Sequence, residues 1–171
     1  MDYVVLVDEC DNELGVMEKM EAHKKAMLHR AFSVFLFNKK GEMLLQRRAL
    51  TKYHSGGLWT NACCSHPRPG ESNFDAAKRR TFEELGFYPE IRNAFSFTYK
   101  AEFDNGLTEY EFDHVFVGEY EGPISPDPAE VSEYCYKSLD LIRRELLEEP
   151  HLYTEWFKIA FHEIEDHSSL L

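Results

Sequence analysis

Three acids sit two residues apart in one short stretch, Glu109-Tyr110-Glu111-Phe112-Asp113-His114-Val115. In an extended strand, side chains two apart share a face, so Glu109, Glu111 and Asp113 line up. Like charges crowded on one face repel by roughly 0.2–1 kcal/mol per pair when merely exposed. A solvent-facing edge strand can tolerate that cost; a cation site makes use of it. His23, His29 and His66 are candidate co-ligands. Their spacing does not stack His23 and His29 on one helix face. His29 falls at the start of a predicted strand, and His66 falls in the loop Cys64-Ser65-His66-Pro67. Three imidazoles with two carboxylates form a borderline-soft set suited to zinc or manganese. Any one of these histidines alone reads as an ordinary core or surface residue. Only their convergence in space would make a site, and spacing does not show it.

A second constellation is basic. The chain carries a formal charge of −12, yet residues 19–80 hold 13 of its 19 basic residues and only four of its 31 acids. That split reads either as a solvated basic patch or as an anion site in a protein that otherwise repels anions. The overall acidity argues against nucleic acid as a partner.

These groups need elements to position them. Strands are predicted at Tyr3–Val7, Ala31–Phe37 and Glu42–Gln46, the last two joined by a turn over Asn38–Gly41. Another short strand is predicted over Trp59–Cys63. A helix is predicted over Phe74–Leu85, with Ser72 or Asn73 as cap and Gly86 at the left-handed end. Phe95–Phe103 alternates, placing Phe95, Phe97, Tyr99, Ala101 and Phe103 on one face. Asp104-Asn105-Gly106 signals a turn into a returning strand, Leu107–Gly118. A two-residue loop would pair Lys100 with Glu111, and a three-residue loop would pair Tyr99 with Glu111. The pattern leaves both open. Glu121–Ala129, with three prolines, reads as a loop. Helices are predicted at Leu139–Glu148, capped by Ser138, and at Glu155–Asp166.

Length and composition set bounds. At 171 residues the chain is about one domain long, and 1–171 is read as a single domain. No apolar run approaches the 20 or so residues of a membrane span, and no secretory signal is visible. Four cysteines, two of them adjacent, make no disulfide framework, so a reducing, cytoplasmic protein without nucleic-acid or membrane partners is expected. It is taken to act as a monomer. Strands first and helices later suggest an α+β fold, a mixed β-sheet packed between helices.

Gly70-Glu71-Ser72 leading into Arg79-Arg80-Thr81-Phe82-Glu83-Glu84-Leu85-Gly86-Phe87 resembles the Nudix box, G-x5-E-x7-R-E-U-x-E-E-x-G-U. Glu71, Arg79, Glu83, Glu84, Gly86 and Phe87 match; Ser65, Arg80 and Thr81 depart. In Nudix hydrolases the glutamate replaced by Arg80 helps hold divalent ions on a diphosphate. An arginine there would disable a metal-activated water and could grip the diphosphate itself. Together with Leu28-His29-Arg30-Ala31-Phe32-Ser33, Arg47-Arg48-Ala49-Leu50-Thr51-Lys52 and Trp59-Thr60-Asn61-Ala62-Cys63-Cys64-Ser65-His66-Pro67, this resembles type I isopentenyl-diphosphate isomerase. That family is a divergent branch of the Nudix superfamily. It interconverts two prenyl diphosphates by protonation and deprotonation through a carbocation. The likeness runs from about Lys19 to Gly118 and is weaker beyond.

The resemblance implies a Nudix-like fold and the following roles. Cys64 and Glu111 are opposed acid/base groups, with Tyr99 supporting the proton relay. His23, His29, His66, Glu109 and Glu111 bind one divalent ion, Mn2+ or Zn2+. A Mg2+ ion rides on the diphosphate, with Glu84 and the Cys64 carbonyl as protein ligands. Lys19, Arg48, Lys52 and Arg80 hold the diphosphate, and Trp156 covers the hydrocarbon. Flavin and nicotinamide are not required. The competing activity is a Nudix-type diphosphate hydrolase.

Overall fold

The run His29–Phe37 is apolar on both faces, as a strand covered on both sides must be. It forms β3, and apart from Arg30 and Phe37 every residue in it is buried. The computed structural model describes residues 2–167 of the chain. Around β3 it builds one nine-stranded mixed sheet. On one side, β8 (Thr108–Glu119) runs parallel to β3 along its whole length, from His29↔Glu111 to Phe37↔Glu119. Beyond it lies β7 (Ile91–Glu102), antiparallel to β8. On the other side β3 meets β1 (Tyr3–Val7) and β6 (Cys63–Ser65). At its far end it pairs with β4 (Met43–Arg48). β2 (Glu13–Glu18) is the outer partner of β1. β5 (Trp59–Asn61) and β9 (Val131–Lys137) flank β4.

Strand alternation then assigns the two faces. Phe32, Val34 and Leu36 point to α2 (Asn73–Leu85), packing with Ala76, Ala77, Leu85 and Phe116. Phe35, Val115 and Val117 point the other way, against Ile142 of α3 (Leu139–Glu148) and Phe157, Phe161 and Ile164 of α4 (Glu155–Asp166). Each fully buried Phe contributes about 1.5–3 kcal/mol of transfer free energy. Helices on both faces of a mixed sheet are the expected architecture.

Four local features differ from the sequence expectation. The strand predicted over Trp59–Cys63 is two strands, because the chain bends at Ala62 and changes partner from β4 to β3. The Asn61 side chain bridges the break, donating to the carbonyls of Val34 (2.9 Å) and Cys63 (3.0 Å). Strands β2 and β9 were not foreseen; both are edge strands with largely exposed, polar sequences. Nor was α1 (Lys19–Lys24), whose six residues are too few to show a helical period. It starts because the Glu18 carboxylate accepts from the Glu21 amide at 2.8 Å. The proline-rich segment stays a loop, as expected. It closes the end of α2: the Ser125 and Asp127 amides donate to the carbonyls of Leu85 and Glu84, each at 2.9 Å.

Candidate active site

The acidic face of β8 is buried. Glu109, Glu111 and Asp113 are each 7% exposed or less. β8 is interior to the sheet, lying between β3 and β7, so the alternative of a solvent-facing edge does not apply. Register pairing then brings His29 beside Glu111. The helix α1 supplies His23, and the chain after β6 supplies His66. One ligand atom from each of His23, His29, His66 and Glu111 lies within 4.8 Å of all the others. The tautomers are set from behind. Nδ1 of His23 lies 2.6 Å from the Lys19 carbonyl and Nδ1 of His29 lies 2.8 Å from the Met27 carbonyl. A carbonyl only accepts, so each Nδ1 carries a proton, and in the neutral ring each Nε2 presents a lone pair inward. Glu109 stands outside this group; it accepts from the Tyr99 hydroxyl at 3.1 Å and lies 3.3 Å from Nε2 of His54.

Burial would push the Glu111 carboxyl up, but the imidazoles of His66 and His29 outweigh it and hold Glu111 well below the usual carboxylate range. Its Oε1 lies 2.8 Å from Nε2 of His66, and its Oε2 accepts from the Tyr99 hydroxyl at 2.6 Å. The Tyr99↔Glu111 pairing is the three-residue-loop register, with Gly106 at φ +79°.

Cys64 faces the same cavity from β6. Its Sγ donates to Oδ1 of Asn61 at 2.9 Å and lies 3.4 Å from the Ser33 hydroxyl. Burial, then the nearby Asp113 carboxyl, pushes the thiol far up, so Cys64 is protonated at neutral pH. Ser33 in turn donates to Oδ2 of Asp113 at 2.6 Å. Burial raises Asp113 well above the ordinary carboxylate range, with Glu111 and Glu109 adding to the effect. Cys63, the next residue, points to the opposite face and packs in the core under α2.

The cavity that joins these groups is lined also by Lys19, Arg48, Lys52, Arg80, Glu84 and Trp156. Every expected site residue is therefore a wall of this cavity or, for His23 and His29, part of the histidine cluster fully buried next to it. Arg80 is not free. It donates to Glu83 (2.7 Å) and Glu84 (2.6 Å), and Glu84 also accepts from Gln46 at 2.7 Å. Lys52 is paired with Glu130. The Arg48 guanidinium stacks 5.0 Å from the centre of the Trp156 ring. Among the described residues, seven buried side-chain polar atoms lack a hydrogen-bond partner. Six belong to groups of the cavity or its backing: Nε2 of His23, Nε of Arg48, Nε2 of His54, Nε of Arg80, Oδ1 of Asp113 and Nε1 of Trp156. Buried polar groups are nearly always satisfied, so a cluster of six marks a place built to receive polar ligands.

Comparison with known proteins places the chain in a family. The NUDIX domain pattern matches residues 27–157. The isopentenyl-diphosphate Delta-isomerase of Pectobacterium atrosepticum is 49% identical over 96% of this chain and 92% of its own length. Isopentenyl-diphosphate Delta-isomerase 2 of Photorhabdus laumondii is 46% identical over 99% of each chain. The chain belongs to the isopentenyl-diphosphate isomerase family. Its fold is shared more widely. DR0079 of Deinococcus radiodurans superposes with a TM-score of 0.77 at 18% identity, covering 95% of this chain and 98% of that one. The MutT protein of Methanosarcina mazei superposes at 0.67 and 22%, covering 82% and 95%.

Against this family background, sequence reading missed several groups that shape the site: Ser33, Asn61, Asp113 as a neighbour of the thiol, and Tyr53 and His54 of the wall. His54 stacks on Phe103 at 4.8 Å and meets Trp156 edge-on at 5.6 Å. Asp113 carried a usable signal, since it shares the acidic face. Ser33 carried one only through the β3–β6 register, Ser33↔Cys64, which no local pattern announces.

Proposed function

We propose that the protein interconverts isopentenyl diphosphate and dimethylallyl diphosphate by protonation and deprotonation, with Cys64 and Glu111 as the two proton-transfer groups. One observation carries the reading: the Cys64 thiol and the Glu111 carboxylate open into one cavity that is also lined by four cations and an indole ring. A hydrolase has no need of that pair.

The residues fit two divalent ions. Inward-facing imidazole nitrogens and Glu111 would hold Mn2+ or Zn2+, with Glu109 adjoining; Glu84 and the Cys64 carbonyl would hold Mg2+ on the diphosphate. When bound, the first ion fixes the orientation and acidity of Glu111 and the second neutralises phosphate charge. Lys19, Arg48, Lys52 and Arg80 bind the diphosphate through charge-assisted hydrogen bonds. The Cys64 thiol gives its proton to the terminal carbon of the double bond. The electron pair of that bond forms the new C–H bond and leaves a tertiary cation. Glu111, in contact with Tyr99, takes a proton from the neighbouring carbon, and the released pair forms the new double bond. Trp156 faces the cation; a ring quadrupole stabilises such charge by roughly 0.5–2 kcal/mol. Trp156 and Tyr99 are 4% and 7% exposed, and the reaction needs such walls to keep off water that would trap the cation as an alcohol. All four cysteines are free thiols. Among the described residues no helix is long and apolar enough to cross a membrane.

Proton NMR of isopentenyl diphosphate incubated with the protein and magnesium in deuterated water tests the reading. Dimethylallyl diphosphate carrying deuterium is the expected product. Inorganic phosphate or a free prenyl alcohol instead would mean hydrolysis, and an unchanged spectrum would refute both.

A further inference from the structure

The proline-rich loop has no part in the reaction just described, yet it sets a carboxylate against two of the cations that border the cavity. Its last residues run Asp127-Pro128-Ala129-Glu130. The Asp127 amide is tied to the Glu84 carbonyl (2.9 Å), the Glu130 amide to the Asp127 carbonyl (2.9 Å), and the Glu130 carbonyl accepts from the Ala49 amide (3.0 Å). Glu130 is thus fixed by backbone bonds to the helix that carries Arg80 and Glu84 and to the loop that carries Lys52. A single oxygen, Oε2 of Glu130, meets both the Lys52 ammonium and the Arg80 guanidinium, the latter at 3.4 Å. Glu84 shares the Nη2 nitrogen of that guanidinium with Glu130, and Glu83 meets its Nη1.

This is an odd way to build a receptor for a bare anion. Arg80 and Lys52 face a shared groove, but three carboxylates already offset their charge. A free diphosphate held by those two cations shares them with the Glu130 carboxylate, and like charges on a partly buried surface repel. A diphosphate carrying a divalent cation reverses the sign of that encounter, because Glu130 then attracts the cation.

We propose that Glu130 makes the anion subsite selective for metal-complexed diphosphate over free diphosphate, by placing a fixed carboxylate between Lys52 and Arg80. This rests on the assignment of Lys52 and Arg80 to the diphosphate.

Calorimetric titration of the full chain with inorganic pyrophosphate, with and without magnesium chloride, tests it. The unaltered protein binds the magnesium complex at least about tenfold more tightly than free pyrophosphate. Glu130→Gln keeps a hydrogen-bond acceptor for Lys52 and Arg80 and removes the charge. It narrows that preference by about threefold or more, chiefly by tightening the metal-free complex, and Glu84 keeps the remainder. Glu130→Asp, which keeps the charge, retains the preference. If Glu130→Gln leaves the ratio unchanged, or weakens both complexes alike, Glu130 only positions the two cations and the proposal fails. If the unaltered protein binds pyrophosphate in neither buffer, the diphosphate assignment itself falls and takes this proposal with it.

Discussion

Cys64 is half-buried and Glu111 is buried, and their surroundings drive their acidities in opposite directions. Burial alone raises both. Glu111 has imidazoles beside it and is held ionised; Cys64 has Asp113 beside it and is held protonated. The proposed mechanism requires that split, one proton donor and one acceptor in the resting state. Replacing the thiol tests the first role. Cys64→Ala is expected to lower kcat by at least about 10²–10⁴-fold, with pyrophosphate affinity little changed, since the diphosphate cations are elsewhere. Turnover near the original rate in steady-state assays would remove Cys64 from the mechanism. Tyr99→Phe tests the second side. It deletes the hydroxyl that donates to Glu111 and Glu109 (2.6 and 3.1 Å) while keeping the ring. A kcat lowered by about tenfold or more, with KM within about threefold, is expected for a group acting mainly in the transition state. A change confined to KM would make Tyr99 a binding residue only.

At the scale of elements, two glycines show how the chain sets the site, and they separate strain from crowding. Gly106 closes the hairpin at φ +79° with open space around it; Gly86 ends α2 at φ +81° with the Ser125 carbonyl oxygen 2.6 Å from where a Cβ would lie. Gly106→Ala is expected to cost about 1 kcal/mol for the backbone alone. Gly86→Ala should cost about 2 kcal/mol or more, because the proline-rich loop must also move away. Urea denaturation of both variants checks the order; equal losses would mean that the loop does not press on α2. These elements were unequally legible in the sequence. Phe74–Leu85 and the Asp104-Asn105-Gly106 turn declare themselves by capping and turn chemistry, which are local. The hairpin pattern alone left two registers, since Lys100 and Tyr99 each suit Glu111, and only the family resemblance favoured the three-residue loop that forms. The split of Trp59–Cys63 into β5 and β6 was not readable at all. It depends on Asn61 reaching the Val34 carbonyl, a contact between residues 27 apart in the chain. The same limit hid Ser33 and Glu130, whose relevance comes from partners 31 and 78 residues away.

For the whole molecule, the cluster of His23, His29, His66 and Glu111 joins α1, β3, β8 and the chain after β6. An ion bound there would cross-link the N-terminal helix to the centre of the sheet, so its removal should be felt globally. Binding at 1,000 times Kd adds about 4 kcal/mol to stability, and at this chain length that corresponds to about 8 °C or more in Tm. Protons compete for the same nitrogens. Burial holds His23 and His66 below the ordinary imidazole value; His29, which burial would also lower, is raised by its contact with Glu111. In the metal-free protein, the two depressed histidines contribute stability that is complete above about pH 6.5, the unfolded value, and is lost as pH falls through their lower folded values. His29 works in the opposite sense: its contribution is complete below about pH 6.5 and fades as pH rises through its raised folded value. Metal binding needs all three neutral, and the raised His29 is the first to take up a proton as pH falls. Thermal melts with and without a chelator should therefore differ most at about pH 7.5, and the difference should shrink steadily as pH is lowered through and below about 6.5. His23→Ala should abolish most of the chelator effect at every pH. A chelator-dependent Tm shift that survives His23→Ala, or that grows on acidification, would place the stabilising ion somewhere other than this cluster.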